Sequence, residues 1–378
     1  MSKKTTIPNP VVIHTSNEKG RMKFTLEKTN VSVANAIRRT ILSDIKVVCL
    51  KTNNITDNLI TIHTNTTRLN NEITKHRLSC IPVHIKEWNE SLENLELEVN
   101  VENTTDSLKY VTTGDFKIKD KNTNKYLSDS EVLKIFPANP MTKSFIIFSR
   151  LRPKITDNIP GEKLHLTCKF SISTAGEDGA FNVASTIAYG NTPDVTSQVE
   201  AWDDREEDLI KEGINKNDIA FERENWFNHG SKRYFKDDSF DFVLETVGVY
   251  TNNELMKYAC NNLVNKNNEL FAKFVSESVE IESQSSIMKN SFDIKLENID
   301  YTTGKVIEHI LHEEYYKGSG TFTYVGFIKK HPHDTYSIIR IAFKDEKNAN
   351  NKNINEIFKY ALGVSNNMFD TIAEYFKG

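Results

Sequence analysis

Two stretches of this chain recur farther along it, and that repeat narrows the range of folds more than any single motif. A shift of 270 residues places Leu26, Glu27 and Ile37 on the identical Leu296, Glu297 and Ile307, with Phe24 on Ile294 and Asn30 on Asp300. A shift of 102 places Asn253, Glu254, Lys257, Tyr258 and Ala259 on the identical Asn355, Glu356, Lys359, Tyr360 and Ala361. Under the same shift Leu255 and Met256 fall on Ile357 and Phe358, Phe274 falls on Phe376, and no gap is needed over about six helical turns. Short identities between helices arise by chance, but both parts in the same order imply one small α/β unit used twice. Two related units in one chain can pack equivalent faces together as an isologous dimer does.

The repeated element is clearest at Ser32 to Ile45, SVANAIRRTILSDI, a run of good helix formers without Gly or Pro, with Ser32 placed to cap the first turn. At 100° per residue Val33, Ala34, Ile37, Ile41 and Ile45 share one arc, Arg38 lies at its edge, and Asn35 and Arg39 fall on the far side. The arc expects a core, and Arg39 expects solvent or an outside partner. Glu308 and His309 occupy the matching positions of the second copy.

At 378 residues the chain exceeds the size at which one core stops growing, so two or three domains are expected. No window approaches the roughly 18 apolar residues of a membrane span. The start, MSKKTTIPNP, has basic residues with no apolar run behind them, so no secretory signal and an intracellular location are expected. Cys49, Cys80, Cys168 and Cys260 lie far apart with no C-x-x-C pair, which speaks against zinc, iron–sulfur and disulfide frameworks. They read as reduced and buried. A net charge of −4 makes general phosphate attraction weak, so protein partners are favoured over nucleic acid.

Taken in order, Met22 to Leu26 reads as a strand feeding the capped helix, Val47 to Leu50 as the next strand, and Ile55 to Thr66 as an alternating β-branched run. From about Lys86 strands and turns alternate through STIAYGNTPD, indicating a mostly β insert. Glu200 to Asp208 holds six acids and one Arg, and the chain stays polar up to Asp238 with Trp202, Trp226 and Phe227 interspersed. This region reads as an acidic loop, packed across a surface if its tryptophans are buried. Thr251 opens a long helix with apolar pairs ending at Phe274, and the polar stretch to Asn290 reads as a flexible linker with a span of roughly 22 Å.

The stretches VANAIRRTILSDI, HRLSCIPVHI, RLRPKITDNIPGEKLHL and AGEDGAFNVASTIAYGNTPD resemble, in that order, the third-largest subunit of eukaryotic RNA polymerase II, the archaeal D subunit and, more distantly, the bacterial alpha subunit. The C-terminal run LENIDYTTGKVIEHIL, with YVGFIKKHP and SIIRIAF, resembles the small L-type partner. A fusion of the two resembles the arrangement in large DNA viruses that carry their own transcription machinery. The resemblance implies an α+β fold of two alpha-like dimerisation units paired within one chain: 1–85 with 236–275 as the split D-type unit, 86–199 as the inserted β-rich domain, 200–235 as the acidic loop, 276–290 as the linker and 291–378 as the L-type unit. It further implies a non-catalytic platform, one copy per complex, that gathers the largest and second-largest polymerase subunits and a small platform subunit, with nucleic acid met only through the holoenzyme. No cofactor and no membrane are expected; a viral source would place the chain in virion and host cytoplasm.

On this reading Asn35, Arg38 and Arg39 face a large subunit, while Val33, Ile37, Ile41, Leu255, Ala259, Leu263, Val306, Ile307, Ile310, Ile357 and Ala361 form the internal dimerisation interface. No Walker-type loop or catalytic aspartate cluster is present. His331 and His333 read as a turn before a strand, and Gly176, Gly179 and Gly190 as turn residues without phosphate-loop spacing. His165 and Cys168 are too few for a structural zinc, so metal-independent folding is expected. The alternative of another class is a free-standing adaptor that binds peptides through a sheet edge. Co-purification separates the two, because only the first brings down two very large proteins.

Overall fold

The computed structural model describes residues 7–18, 20–52, 58–156, 159–284 and 288–377. The chain runs β1 (Val11–Glu18), β2 (Arg21–Glu27), α1 (Val31–Ser43), β3 (Val47–Cys49), β4 (Ile60–Asn65), α2 (Asn71–Ser79), β5 (Leu95–Glu102), β6 (Lys109–Thr112), β7 (Lys117–Asp120), β8 (Lys125–Tyr126) and α3 (Asp129–Ile135). It continues with β9 (Ile147–Leu151), β10 (Lys163–Lys169), β11 (Ser171–Ser173), β12 (Ala184–Pro193), α4 (Val195–Lys211), α5 (Lys216–Asn228), β13 (Phe235–Thr246) and α6 (Asn252–Val275). The last part holds β14 (Ile281–Ser283), β15 (Ser291–Glu297), α7 (Tyr301–Leu311), β16 (Phe322–Ile328), β17 (Tyr336–Phe343) and α8 (Asn351–Tyr375). Contacts divide these elements into two units: one of residues 1–40, 186–245 and 252–378, the other of residues 41–185 and 246–251.

The first unit holds two four-stranded sheets of the same order, β1-β2-β13-β12 and β14-β15-β17-β16, each built as strand, strand, helix, strand, strand, helix. Strands β2 and β15 have identical bounds under the shift of 270, and the residue after each, Lys28 and Asn298, takes the left-handed conformation at φ 59°. That turn aims the chain into the helix. The cap is then Asn30, not Ser32: its side-chain oxygen accepts the Ser32 N–H at 2.9 Å, as Asp300 accepts the Thr302 N–H at 2.9 Å. An Asx oxygen two residues before the N–H suits the turn geometry better than a serine already inside the helix, whose hydroxyl is buried without a partner. Gly304, in the first turn of α7, allows close helix–sheet approach, since a Cβ there would lie 2.1 Å from the Phe327 ring.

The buried positions of the long helices repeat as well. Asn252, Met256, Ala259, Cys260, Leu263, Asn267, Leu270 and Phe274 of α6 are buried, and so is each residue 102 farther on, from Ile354 to Phe376. The two helices meet along these faces: Phe274 stacks on Phe358 at 4.9 Å, and Phe24 of the first sheet meets Phe376 edge-on at 5.2 Å.

Two stretches differ from the sequence expectation. The acidic region is not a loop but a hairpin of α4 and α5, with Trp202 and Leu209 buried against Ile219 and flanked by Trp226 and Phe227. Asp194 caps α4 through the Ser197 N–H, and the acids occupy the outer face while the apolar spacing supplies the inner one. The polar stretch 276–290 contains β14, paired antiparallel to β15, so it is not all coil; residues 285–287 lie outside the described residues.

The second unit is the β-rich one. Its five-stranded sheet, β4-β10-β5-β7-β8, buries Leu97, Val99, Leu164, Leu166 and Cys168 beside Phe116, Phe136 and Phe148, with α2 and α3 packed alongside. The pairs β3-β11 and β6-β9 complete it. Of the alternating run from Ile55, residues 55–57 lie outside the described residues and the remainder includes β4. Gly190 sits inside β12 and is not a turn residue.

Candidate protein interface

Helix α1 presents its three singled-out polar residues in two arrangements. Asn35 Oδ1 accepts both Arg38 Nε at 3.1 Å and Arg38 Nη2 at 2.9 Å, which fixes the Arg38 fork on the helix surface one turn from its own root. Arg39 turns elsewhere. Its Nε donates to Thr302 Oγ1 at 2.9 Å and its Nη2 lies 3.2 Å from Asp300 Oδ2, so it holds the capping group of α7. The helical wheel puts Arg39 opposite the apolar arc, and it is exposed there, but a guanidinium on a three-carbon stem reaches past the arc's edge. Arg39 thus stays outside the core, as its place on the wheel implies, but it also meets Asp300 and Thr302 of the same chain and does not face only solvent or an outside partner. Both side chains of the ion pair stay nearly half exposed, at 46% and 44%.

The matching residues of α7 behave differently. Glu308 Oε1 accepts the Phe327 N–H at 3.1 Å and pairs with Lys305, tying the helix to β16. His309 is mostly enclosed, and burial pushes its imidazole below the usual histidine range despite Glu313 at 4.0 Å. A cleft of 600 Å³ opens here, lined by Ser32, Asn35, Tyr189, Lys305, Glu308 and His309 among others. Thus the structure brings Asn35 together with the two polar residues of the second copy, and sends Arg39 to the cap beside them.

Of the residues singled out for internal pairing, Val33, Ile37, Ile41, Leu255, Ala259, Leu263, Val306, Ile307, Ile310 and Ala361 are buried, and Ile357 is half-buried. Sequence reasoning missed the polar centre of the α6–α8 packing. Asn267 Nδ2 donates to Ser365 Oγ at 2.9 Å and to Asn366 Oδ1 at 3.0 Å, and Asn366 Nδ2 donates to Asn268 Oδ1 at 2.8 Å. The signal was present, since Asn267 interrupts the apolar run of that helix face between Leu263 and Leu270.

Among the described residues no group of three or more His, Cys, Asp or Glu side chains converges as a metal site, and no helix is long and apolar enough to cross a membrane. His331 and His333 lie in a turn braced by Asp334, whose carboxylate accepts the His331 N–H. His165 pairs with Glu98 at 3.3 Å, away from Cys168 in the core. Cys49, Cys168 and Cys260 are buried and unpaired, whereas Cys80 is exposed because it ends α2 on the outer side.

A family model described as the RNA polymerase Rpb3/Rpb11 dimerisation domain matches residues 23–267. A conjugation stage-specific protein of Tetrahymena thermophila is 26% identical over 124 residues, covering 29% of this chain and 38% of that protein. The matched stretch thus spans well under half of that curated relative.

Proposed function

The chain belongs to the RNA polymerase Rpb3/Rpb11 dimerisation-domain family, and on that premise we propose that it is a non-catalytic assembly subunit of a DNA-directed RNA polymerase, with both halves of the family's dimer fused in one polypeptide. The observation that carries the fusion is the second copy. Residues 291–378 lie beyond the matched span, yet their sheet has the strand order of the first, their helix α7 has the Asx cap of α1, and α8 repeats the buried positions of α6. A unit that buries its long helix against an equivalent one leaves no apolar dimer face open, so one chain replaces a heterodimer and enters the complex in one copy.

In this reading the domains are a D-type unit split by a β-rich insert and an L-type unit at the C-terminal end, with the hairpin of α4 and α5 an addition between the last strands of the first. Asn35 and Arg38 face the second-largest subunit, and Arg39 sets the angle of α7 beside them. The asymmetry between Arg38–Arg39 and Glu308–His309 lets one half of a pseudo-symmetric platform take one large subunit and leaves the other half for the largest. The chain works where its polymerase works, inside the cell, and a viral source would place it in virion and cytoplasmic factory.

Co-purification tests this. The tagged chain, expressed in its native source, should bring down two very large proteins in a one-to-one ratio, and Arg38→Glu should abolish capture of the second-largest while leaving the chain's melting unchanged. Recovery of small clients alone would refute the assembly role.

A further inference from the structure

We propose that the β-rich unit carries a binding cleft for an acidic peptide segment that also bears an apolar side chain. The cleft encloses 610 Å³ and lies wholly within that unit, so the inference does not rest on the fused-dimer reading. Four arginines line it, Arg68, Arg77, Arg150 and Arg152, against the single carboxylate of Glu162.

That carboxylate is already committed. Glu162 accepts the Arg152 N–H at 2.7 Å through one oxygen and Arg152 Nε through the other. Arg77, near the end of α2, donates to the Phe148 and Ile147 carbonyls at 2.7 and 2.9 Å, which fixes it against β9 without neutralising its charge. Arg68 and Arg150 make no side-chain hydrogen bond or ion pair among the described residues. Arg68 stands on a turn held by Asn65, which donates to the Leu69 carbonyl at 2.9 Å, and Arg150 lies across from Tyr110 in the β6–β9 pair. Three guanidinium charges therefore line the cleft without a neutralising carboxylate.

A buried polar side chain adjoins these charges. Ser149 lines the same cleft, is 3% exposed, and its hydroxyl is buried with no hydrogen-bond partner. A buried hydroxyl left unpaired costs stability. The remaining wall is apolar: Leu108, Tyr110 and Ile147 are each about half exposed.

The mixture selects the ligand class. A guanidinium fork holds a carboxylate through two parallel hydrogen bonds, and arginine clusters are a recurrent device for acidic motifs. A phosphodiester strand would use the charges but gain little from aliphatic walls, because bases want aromatic platforms and only Tyr110 is one. A peptide with Asp or Glu next to Leu or Phe uses both halves of the cleft.

The test is fluorescence anisotropy on the whole chain with a labelled, end-blocked peptide Asp-Glu-Phe-Asp-Glu-Leu, its amide analogue Asn-Gln-Phe-Asn-Gln-Leu and an oligothymidylate of equal charge. The acidic peptide should bind, should weaken as salt rises, and should lose about tenfold or more in affinity in the Arg68→Ala/Arg150→Ala double variant and in Arg150→Glu. Thermal melting of both variants should match the parent, since neither side chain has an internal partner. The inference is overturned if the peptide does not bind, if the variants or the amide analogue bind as tightly, or if the oligothymidylate binds more tightly than the peptide.

Discussion

Arg39 illustrates how far a side chain's role depends on reach. Both members of its ion pair with Asp300 are nearly half exposed, so Arg39→Ala should cost about 0 to 1 kcal/mol, read from denaturant midpoints. Arg39→Glu should cost more, because it sets a carboxylate against the α7 cap; equal losses for the two substitutions would mean that Arg39 does not act on Asp300. The thiols give a second residue-scale prediction. Burial pushes Cys49 and Cys260 up from 9.0 to about 12, and raises Cys168 further in the same direction, while Cys80 is exposed. The folded chain should therefore show one fast thiol of four with a disulfide reagent near pH 8, and Cys80→Ser should remove it. The sign for stability follows from the protonated form being favoured by the fold: the contribution is intact below 9.0 and is lost as pH rises from there towards about 12.

At the scale of elements, the α6–α8 packing combines an apolar seam with one polar lock. Phe358 is fully buried and stacked on Phe274, so Phe358→Ala should destabilise by about 3 to 5 kcal/mol in chemical denaturation. A loss under about 1 kcal/mol would show that the seam is not closed around it. The hairpin of α4 and α5 has its own small core, with Trp202 donating to Glu206 at 2.7 Å. Trp202→Ala should release the hairpin to protease while the rest of the chain stays resistant, because few other apolar contacts hold those two helices. These two elements also mark what could be read in advance. The α6 and α8 faces were legible as apolar pairs at helical spacing, whereas six acids within nine residues masked the helix in α4, whose few inward residues carry its fold. The capping residue was misread for a related reason: Ser32 and Asn30 are both good caps, and only the left-handed Lys28 before them decides which oxygen meets the first free N–H.

At the scale of the whole molecule, the absence of convergent ligands among the described residues predicts that chelation leaves thermal melting unchanged and that elemental analysis finds no stoichiometric zinc. A melting point that falls with chelator would refute this. The amino-acid sequence by itself determined the repeat, the capped helices α1 and α7, and the buried faces of α6 and α8, because these follow from periodicity, turn chemistry and propensities acting over a few turns of chain. Only the tertiary structure decided where the polar groups go. Whether Arg39 meets solvent or Asp300, whether Asn267 is matched by Ser365, and which arginines gather around Ser149 depend on segments tens to hundreds of residues apart. Burial is a property of one helix face, but a hydrogen bond needs two particular atoms within about 3 Å, and no local pattern in the chain encodes that distance.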